Sequence, residues 1–566
     1  MKKLNFIFLI ATFFFTNLCI AATYYVDATN GDDNNDGITE STAWQTIDKV
    51  NASNIGAGDF ILFKRGEIFR GFISAKSGES TGYLTYGAYG SGEKPKILGS
   101  VSRNSESDWF ETETNFWRGS DIAINSSGVD VGNIIFNNDE SVGRKKKSQA
   151  ELIKQGDFYS DPTTKTLILY SAGNPALFYS GIELALRKDI IHEWQAAYVI
   201  YENLDLRYGG AHGIGGENAH HIIIRNIDFS YIGGSYQYQT VRYGNGIEFW
   251  NATNNATIES CTFSQIYDAA MTVQGDGTYE VYDIYFKNNI VDRAEYIFEF
   301  WVRGEGTSAK NIYFVNNTCT NAGRGWGHTE RPDPNGVDLM LWGSSAPFEN
   351  IVIQNNIFSN AIDAGIFVWE PVLSDLNTSF ITIDNNDWYL PETEMLAIRT
   401  GWDEVNNRPI TTLYDWDYYR TNTSQDANSI TSDPLLNYDH SISSASPCID
   451  EGATLFYVAD DFIETLRPQG NAFDIGAYEF IDNTNSSLQI IKNNNKVFPN
   501  PVSDALFVKS KIGSVISLFN INGRVLKNYI SDSHIVEFDI TGLTKGTYFL
   551  KIKSQNKLEL QKVIKL

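Results

Sequence analysis

Basic residues are scarce in this sequence relative to acidic ones. The 566 residues contain 44 Lys and Arg against 69 Asp and Glu, so the formal net charge is −25. A surface of this sign repels nucleic acid and anionic membranes, which excludes both as the main partner. An anionic glycan stays open, because a local basic cleft can outweigh a distant acidic surface.

Cysteine is scarcer still, with four residues in the whole chain. Cys19 lies in the N-terminal leader described next, which leaves Cys261, Cys319 and Cys448 at irregular spacing. An odd number of thiols without a regular spacing excludes a disulfide framework and a zinc site. We interpret the three as small buried hydrophobic residues.

Long apolar runs are absent outside the N-terminus. The leader MKKLNFIFLIATFFFTNLCIAA begins with Lys2 and Lys3, continues with apolar residues and ends on Ala21 and Ala22. This pattern predicts a secretory signal peptide over 1–22 that is removed on export; a retained membrane anchor is the alternative. No other run is long enough to span a bilayer, so we expect no transmembrane segment in the mature chain.

The centre of the chain repeats a short strand that ends in asparagine. Strings such as IIIRNIDF (222–229) and IYFKNNIV (284–291) alternate apolar residues and then carry one or two Asn. Their spacing of about 23 to 39 residues, without helical patterns between them, predicts a right-handed parallel β-helix, with a sandwich or propeller as the alternative. Asn suits a tight corner because it tolerates left-handed backbone and can hydrogen-bond to the next Asn. The predicted corner residues are Asn203, Asn226, Ser260, Asn288, Asn316, Asn355 and Asn385.

Several segments at the two ends of this region resemble known proteins. YYVDATNGDDNNDGITESTAWQTIDKVN (24–51) and GDFILFKRGEIFRG (58–71) resemble the first coils of secreted bacterial β-helix proteins of the pectate-lyase-like superfamily. SPCIDEGA (446–453) and RPQGNAFDIGAYEF (467–480) resemble their closing segment. The resemblance implies a β-helix over 23–481. It leaves the substrate open, because this superfamily contains lyases, hydrolases and adhesins.

The β-helix pattern is interrupted once and followed by a second unit. Residues from about 101 to 195 are predicted to form β-hairpins inserted between coils, and 482–495 is a polar linker. The small all-β pattern at 496–566 contains FPNP, NGR and GLTKGTYFLKI and resembles the C-terminal sorting domain of the Bacteroidetes type IX secretion system. That resemblance implies export by the type IX machinery; a carbohydrate-binding module is the alternative. We expect an all-β, monomeric protein.

Strands after the Asn corners align into a column of acids. NGIEFW (245–250) and YIFEFW (296–301) each place an acid between apolar residues and a Trp two positions later. Alternation sends the apolar residues inward and the acids outward. The predicted acid column contains Glu248, Glu299 and Asp338. Two positions further along, the same face is predicted to carry Trp250, Trp301 and Trp369.

Carboxylates beside indoles suit a sugar chain that crosses the coils, because aromatic rings stack on apolar sugar faces and acids perform acid–base work. Glu299 is the predicted partner of Glu248, two coils or about 9.6 Å away. Asp338, about 4.8 Å from Glu299 on the next coil, is the second choice. Asp268, four residues before the column, is a further catalytic candidate. Calcium binding or loop capping is the alternative role of the three column acids, and turn stabilisation is the alternative role of Asp268.

Loops beside the column supply candidate substrate-binding residues, since long loops in a solenoid usually shape the binding site. Two such loops span 235–244 and 321–336, and further candidates follow Trp301 or open an earlier coil. The candidates are Tyr243, Arg242, Arg303, Arg324, His328, Arg331 and His212.

The predicted function is hydrolysis of an extracellular polysaccharide by a glycoside hydrolase. One alternative is a lyase on a uronic-acid polymer, in which the loop cations neutralise the carboxylate. The other is a noncatalytic glycan-binding adhesin. No cofactor is expected at the active site. NGDDNNDG (30–37) is interpreted as a turn, with a structural Ca²⁺ as the alternative.

Overall fold

The core of the protein is a parallel β-helix with three sheet faces, which confirms the predicted fold class. The computed structural model describes residues 21–119, 130–161, 163–238, 241–304, 306–332, 334–342, 347–369, 380–403, 408–482, 497–498, 500–503, 505–510, 514–520, 525–531, 535–554 and 557–565. The predicted signal peptide lies outside these residues, apart from its last two positions. None of the helices in the described ranges has the length and apolarity that a bilayer crossing needs.

Face 1 is a sheet of ten parallel strands. Along each strand, apolar residues such as Val199 and Ile222 point into the coil and are fully buried. In stacking order the strands are Thr23–Val26, Phe60–Lys64, Leu84–Tyr89, Ala197–Glu202, His220–Arg225, Asn254–Glu259, Glu280–Lys287, Ser308–Val315, Phe348–Gln354 and Ile381–Asp384.

Faces 2 and 3 form one 17-stranded sheet, because the long strands Thr262–Asp276 and Ile290–Arg303 pair with neighbours on both faces. Face 2 also contains Ile68–Arg70, Lys96–Leu98, Asp205–Arg207, Asp228–Ile232, Thr318–Thr320, Ile357–Ser359 and Asp387–Tyr389. Face 3 also contains Ile73–Ser74, Ile191–Trp194, Ile214–Glu217, Ile247–Trp250, Val337–Leu341, Ala364–Val368 and Glu394–Asp403, and ends on the antiparallel strand Arg408–Tyr414.

The corners predicted from the sequence adopt left-handed backbone, with φ between 51° and 60° at all seven positions. The residue after four of these corners forms a buried amide ladder. Asn289 donates to Asn317, Asn317 to Asn356, and Asn356 to Asn386, at 3.0, 3.0 and 3.1 Å. Cys261 takes the first position, and its backbone amide donates to Asn289 over 3.0 Å. The ladder therefore satisfies buried polar groups inside the coil.

Two sheets, the first antiparallel and the second mixed, interrupt the coils between Ser100 and Leu186, around their own apolar core. The first sheet contains Ser100–Ser102, Val131–Phe136, Ser141–Val142 and Ile182–Leu186. The second contains Trp109–Glu113, Phe116–Gly119, Arg144–Lys145, Asp157–Asp161 and Thr166–Tyr170.

This insertion ends earlier than predicted. Ile191–Trp194 pairs in parallel with Ile214–Glu217 and is a strand of face 3. Gln195, at φ 56°, forms the corner that follows it. The sequence repeat was missed there because Gln replaces the expected Asn.

Helices are few and short: Ile47–Ala52, Pro175–Phe178 and Trp416–Thr423 among the described residues. After the last of them, irregular chain packs on the coils and contains a buried ion pair of Arg467 with Glu479 at 2.7 Å. The three thiols are free and buried, as predicted.

The C-terminal unit has two antiparallel sheets around a separate apolar core. The first contains Val497–Phe498, Ala505–Lys509 and Ile535–Asp539. The second contains Val515–Asn520, Val525–Ile530, Gly546–Ser554 and Lys557–Lys565.

Candidate active site

Face 3 stacks Glu248, Thr272 and Glu299 on three successive coils. The strand register pairs Glu248 with Thr272 and Thr272 with Glu299, which confirms the predicted alignment for these coils. The flanking Ile247 and Phe249 are fully buried inside the coil. Alternation therefore turns the two glutamates to the outer face.

Asp338 does not continue this column, and its predicted place there was wrong. Met340 stacks on Glu299, whereas Asp338 lies two positions earlier, opposite Ile297. The chain turns a corner at this point, and both Asp338 and Leu339 are fully buried. Burial holds the pKa of Asp338 well above its usual range, which favours the neutral carboxyl inside the coil.

Glu299 is held by three hydrogen-bond donors. The indole N–H of Trp342 donates to Oε1 over 2.7 Å, and Thr272 and Gln274 donate to Oε2 over 3.1 and 2.9 Å. Burial and the charge of Asp268 raise the pKa of Glu299 to about 7, against the effect of these donors. A carboxyl with this pKa is half protonated at neutral pH.

Asp268 faces the same space from the middle of the strand Thr262–Asp276 and is paired with a loop cation. The guanidinium of Arg331 donates to Oδ1 of Asp268 over 2.9 Å and to the hydroxyl of Tyr296 over 3.2 Å. Burial raises the pKa of Asp268, and the charge of Arg331 opposes the rise. The loop 321–336 therefore contributes a cation that favours the ionised form of Asp268, although burial leaves the pKa of this carboxyl raised overall.

Glu248 is bonded to His212, whose Nε2 lies 2.6 Å from Oε2 of the carboxylate. Burial lowers the pKa of His212, and the charge of Glu248 raises it to about 9 on balance. The backbone N–H of Asn245 donates to Nδ1 of the same ring over 3.1 Å. That pKa alone would make the ring a cation at neutral pH, but a proton on Nδ1 would break the bond from Asn245. We therefore assign His212 the neutral tautomer with hydrogen on Nε2, which the hydrogen-bond geometry requires.

A cleft of about 260 Å³ opens beside Glu248 on the side of the preceding coils. Gly215 occupies the column between His192 and Glu248, and a Cβ there would lie 2.9 Å from the carboxyl carbon of Asp189. A larger residue would fill this space. The cleft is lined by Asp189, His192, Trp194, His212, Gly215, Gly216, Glu217, Gln237, Tyr243, Glu248 and Trp250.

The predicted row of indoles is present, and the rings cover one another. Trp250 and Trp301 are two coils apart, yet they stack at 5.2 Å, and Arg303 lies 4.0 Å from the Trp301 ring centroid. Trp369 contacts Trp342 at 4.5 Å and Arg399 at 4.6 Å. These contacts use faces that a sugar would need on Trp301 and Trp369, whereas Trp250 also lines the cleft.

Three of the predicted substrate-binding residues make structural contacts instead. The buried guanidinium of Arg242 donates to the backbone carbonyls of Gly234, Glu330 and Gly132. Arg324 pairs with Glu392 at 2.5 Å. His328 bonds Glu295 at 3.2 Å, and this bond raises the pKa of the imidazole. Each of these side chains fastens a loop to the coils.

Five residues at this site were not predicted from the sequence: Asp189, His192, Trp194, Glu217 and Trp342. Trp342 ends the string NGVDLMLW just as Trp301 ends YIFEFW. Aligning these two indoles, rather than the acids, gives the register that the structure shows. The other four lacked a signal, because 101–195 was interpreted as an insertion and Glu217 is the last residue of a short, glycine-rich strand.

The described residues contain no group of three or more His, Cys, Asp or Glu placed to hold a metal ion. In the loop 30–37, Asp32 and Asp36 accept bonds from nearby backbone amides, as in a turn. Asp33 accepts from the backbone and hydroxyl of Thr46. The structural Ca²⁺ stays a prediction.

Residues 496–566 match the secretion system C-terminal sorting domain. The chain therefore carries the signal for type IX secretion, and the protein is extracellular or on the cell surface.

The other similarities are distant or short. A lacto-N-biosidase of Bifidobacterium longum subsp. longum is 32% identical over 99 residues, which is 17% of this chain and only 6% of that protein. Among solved structures, a glycoside hydrolase is 10% identical with a TM-score of 0.44, over 72% of this chain and 99% of that chain. The xylose complex of XylC is 13% identical with a TM-score of 0.41, over 96% and 100%. The unit with a family match is thus the C-terminal sorting domain.

Proposed function

We propose that the protein is a secreted glycoside hydrolase that cleaves an extracellular polysaccharide on face 3. The observation that carries the proposal is Glu299, a carboxyl whose pKa is raised to about 7 beside the charge of Asp268. Glycoside hydrolysis commonly uses a pair of carboxyl groups, one protonated as the general acid and the other ionised. The similarity to a lacto-N-biosidase supports a carbohydrate substrate.

Glu299 is the proposed general acid. Its protonated form gives a proton to the glycosidic oxygen as the bond to the leaving sugar breaks. The ionised Asp268, held by Arg331, stabilises the positive charge that develops on the anomeric carbon. Asp268 then either attacks that carbon or activates a water, and the anomeric configuration of the first product distinguishes the two routes.

Glu248 is less well placed to act together with Glu299 in catalysis than the sequence predicted. The charge that raises the pKa of Glu299 comes from Asp268, while Glu248 is two coils away and bonded to His212. We assign Glu248 to substrate binding in the adjoining cleft.

The test is a panel of algal and plant polysaccharides incubated with the secreted protein and analysed by product chromatography. A hydrolase releases new reducing ends without absorbance near 235 nm, and Glu299→Gln abolishes the release. Absorbance near 235 nm identifies a lyase and contradicts the proposal. Binding of a polysaccharide without any product from the panel supports the adhesin and also contradicts it.

A further inference from the structure

We propose that the cleft beside Glu248 binds one uncharged sugar ring between Trp194 and Trp250. The inference deepens the proposed function, and the role of this sugar as part of the substrate rests on that function. Trp194, Glu217 and Trp250 lie in register on three successive coils of face 3. Two coil spacings separate the backbones of the two indoles by about 9.6 Å.

This pair of indoles differs from the next pair along the face. Trp250 and Trp301 have the same two-coil separation but lean together and stack at 5.2 Å. Trp194 instead stays 55% exposed, and both it and Trp250 line the cleft. When the apolar face of a sugar covers an exposed indole, apolar surface is removed from water, and this favours binding.

The cleft that the two indoles line is small, which suits a single ring. The cleft measures about 260 Å³, just below the range of about 300–1,000 Å³ that holds drug-sized ligands. Gly215 leaves space in the cleft, because a side chain at this position would extend towards the carboxylate of Asp189 and fill that space. In the next two coils the same column position is filled by Glu248 and Thr272.

The charge of the lining selects against acidic sugars. Asp189, Glu217 and Glu248 contribute carboxylates, and Glu217 accepts only an amide bond, from Asn251 at 2.8 Å, among its described contacts. The lining imidazoles are already paired, His192 with Asp189 at 2.9 Å and His212 with Glu248 at 2.6 Å.

On the rim, Arg187 is turned onto Tyr243 and the backbone carbonyl of Gln237. A uronate or sulfated sugar would therefore meet like charge in the cleft. The hydroxyls of a neutral pyranose would instead donate to carboxylates.

The test measures binding without turnover in the full chain carrying Glu299→Gln. Methyl glycosides of glucose, galactose and N-acetylglucosamine, and the methyl glycosides of the matched uronic acids, are titrated by saturation-transfer NMR and tryptophan fluorescence. We expect at least one neutral glycoside to bind, and its uronide to bind at least about tenfold more weakly. Adding Trp194→Ala weakens the neutral glycoside about tenfold, whereas Trp402→Ala, on the same face away from the cleft, leaves it unchanged.

Equal or tighter binding of the uronide overturns the proposal, and so does unchanged affinity in the Trp194→Ala variant. Failure of every neutral glycoside to bind up to its solubility limit overturns it as well. Because binding is measured in a variant that lacks the proposed acid, these outcomes are independent of hydrolysis. If the protein binds neutral sugars as expected but shows no hydrolase activity, the proposed reaction is contradicted and the proposed sugar site in the cleft is not.

Discussion

The indole N–H of Trp342 donates to Oε1 of Glu299 over 2.7 Å. This bond links the row of indoles on face 3 to the proposed general acid. A donor to a carboxylate stabilises its ionised form and so lowers its pKa. Trp342 is therefore one of the residues that set the pH at which Glu299 releases its proton.

Replacing Trp342 with Phe is expected to raise the pKa of Glu299 by about one unit, since a hydrogen bond to a charged group is worth about 1.5–3 kcal/mol. Activity that needs protonated Glu299 then extends to higher pH, and the alkaline limb of the kcat profile moves upward. Trp369→Phe is the matched control, because its ring contacts Trp342 rather than Glu299. An unchanged limb in Trp342→Phe would show that Glu299 does not determine it.

Removing the charge of Asp268 is expected to lower both kcat and the pKa of Glu299. Asp268→Asn removes the proposed charge stabilisation, with a loss of at least about a hundredfold in kcat. It also removes a charge that raises the pKa of Glu299. Because Trp342 bonds Glu299, tryptophan fluorescence titrated with pH reports this shift without a substrate.

In that titration the wild type should show an inflection near pH 7. The inflection should lie lower in Asp268→Asn and disappear in Glu299→Gln. If Asp268→Asn leaves it in place, the two carboxyls do not form the proposed pair.

Glu248→Gln should separate binding from chemistry. The substitution keeps an acceptor for His212 but removes the charge that receives sugar hydroxyls in the cleft. We expect KM to rise about tenfold, with kcat and its alkaline limb nearly unchanged. A fall of kcat as large as that in Glu299→Gln would instead make Glu248 a catalytic residue, as the sequence alone predicted.

Local patterns were enough to predict the coils, because each corner needs a residue that tolerates positive φ and each strand must bury alternate residues. They also predicted the register from Glu248 to Glu299, which lie on uninterrupted coils. The prediction that Asp338 continues the acid column failed, because a long loop precedes its strand and a corner turns two successive residues inward. Alternation assumes a straight strand and cannot locate such a corner.

The cleft could not be predicted, because it depends on contacts between distant segments. Asp189 meets Gly215 and His212 only after the insertion has returned the chain to face 3. The pairing of Arg331 with Asp268 likewise depends on how the loop 321–336 folds back over the coil. Single-sequence patterns report neighbours along a coil and not across a loop.

The buried amide ladder should be a principal source of stability in the coils. Asn317 donates to Asn356 and to the carbonyl of Phe286, and it accepts from Asn289. Asn317→Leu leaves these buried groups unpaired, at a cost of about 1–3 kcal/mol for each group. We expect a lower unfolding midpoint in urea, whereas Asn471→Leu, at an exposed amide, should change it little. Equal midpoints for the two variants would contradict a role of the ladder in stability.

Asp338 should make the protein less stable as pH rises. Its folded pKa lies well above the usual value because of burial, so the folded state holds a proton that the unfolded state has released. Between the two pKa values the free energy of unfolding falls by about 1.4 kcal/mol per pH unit from this group. Asp338→Asn has a similar shape and no titrating proton, so this contribution to the slope disappears.

The measurement is urea unfolding of the wild type and Asp338→Asn at pH 5, 6, 7 and 8, and the informative quantity is the difference between the two proteins. That difference should shift in favour of the variant as pH rises, until pH passes the raised folded pKa of Asp338. Glu193→Gln is the matched comparison, because Glu193 is also fully buried and burial raises its pKa to about 8, where its own contribution levels off. A difference between wild type and Asp338→Asn that stays constant with pH would mean that Asp338 is ionised in the fold, and that a partner for its charge reaches it inside the coil.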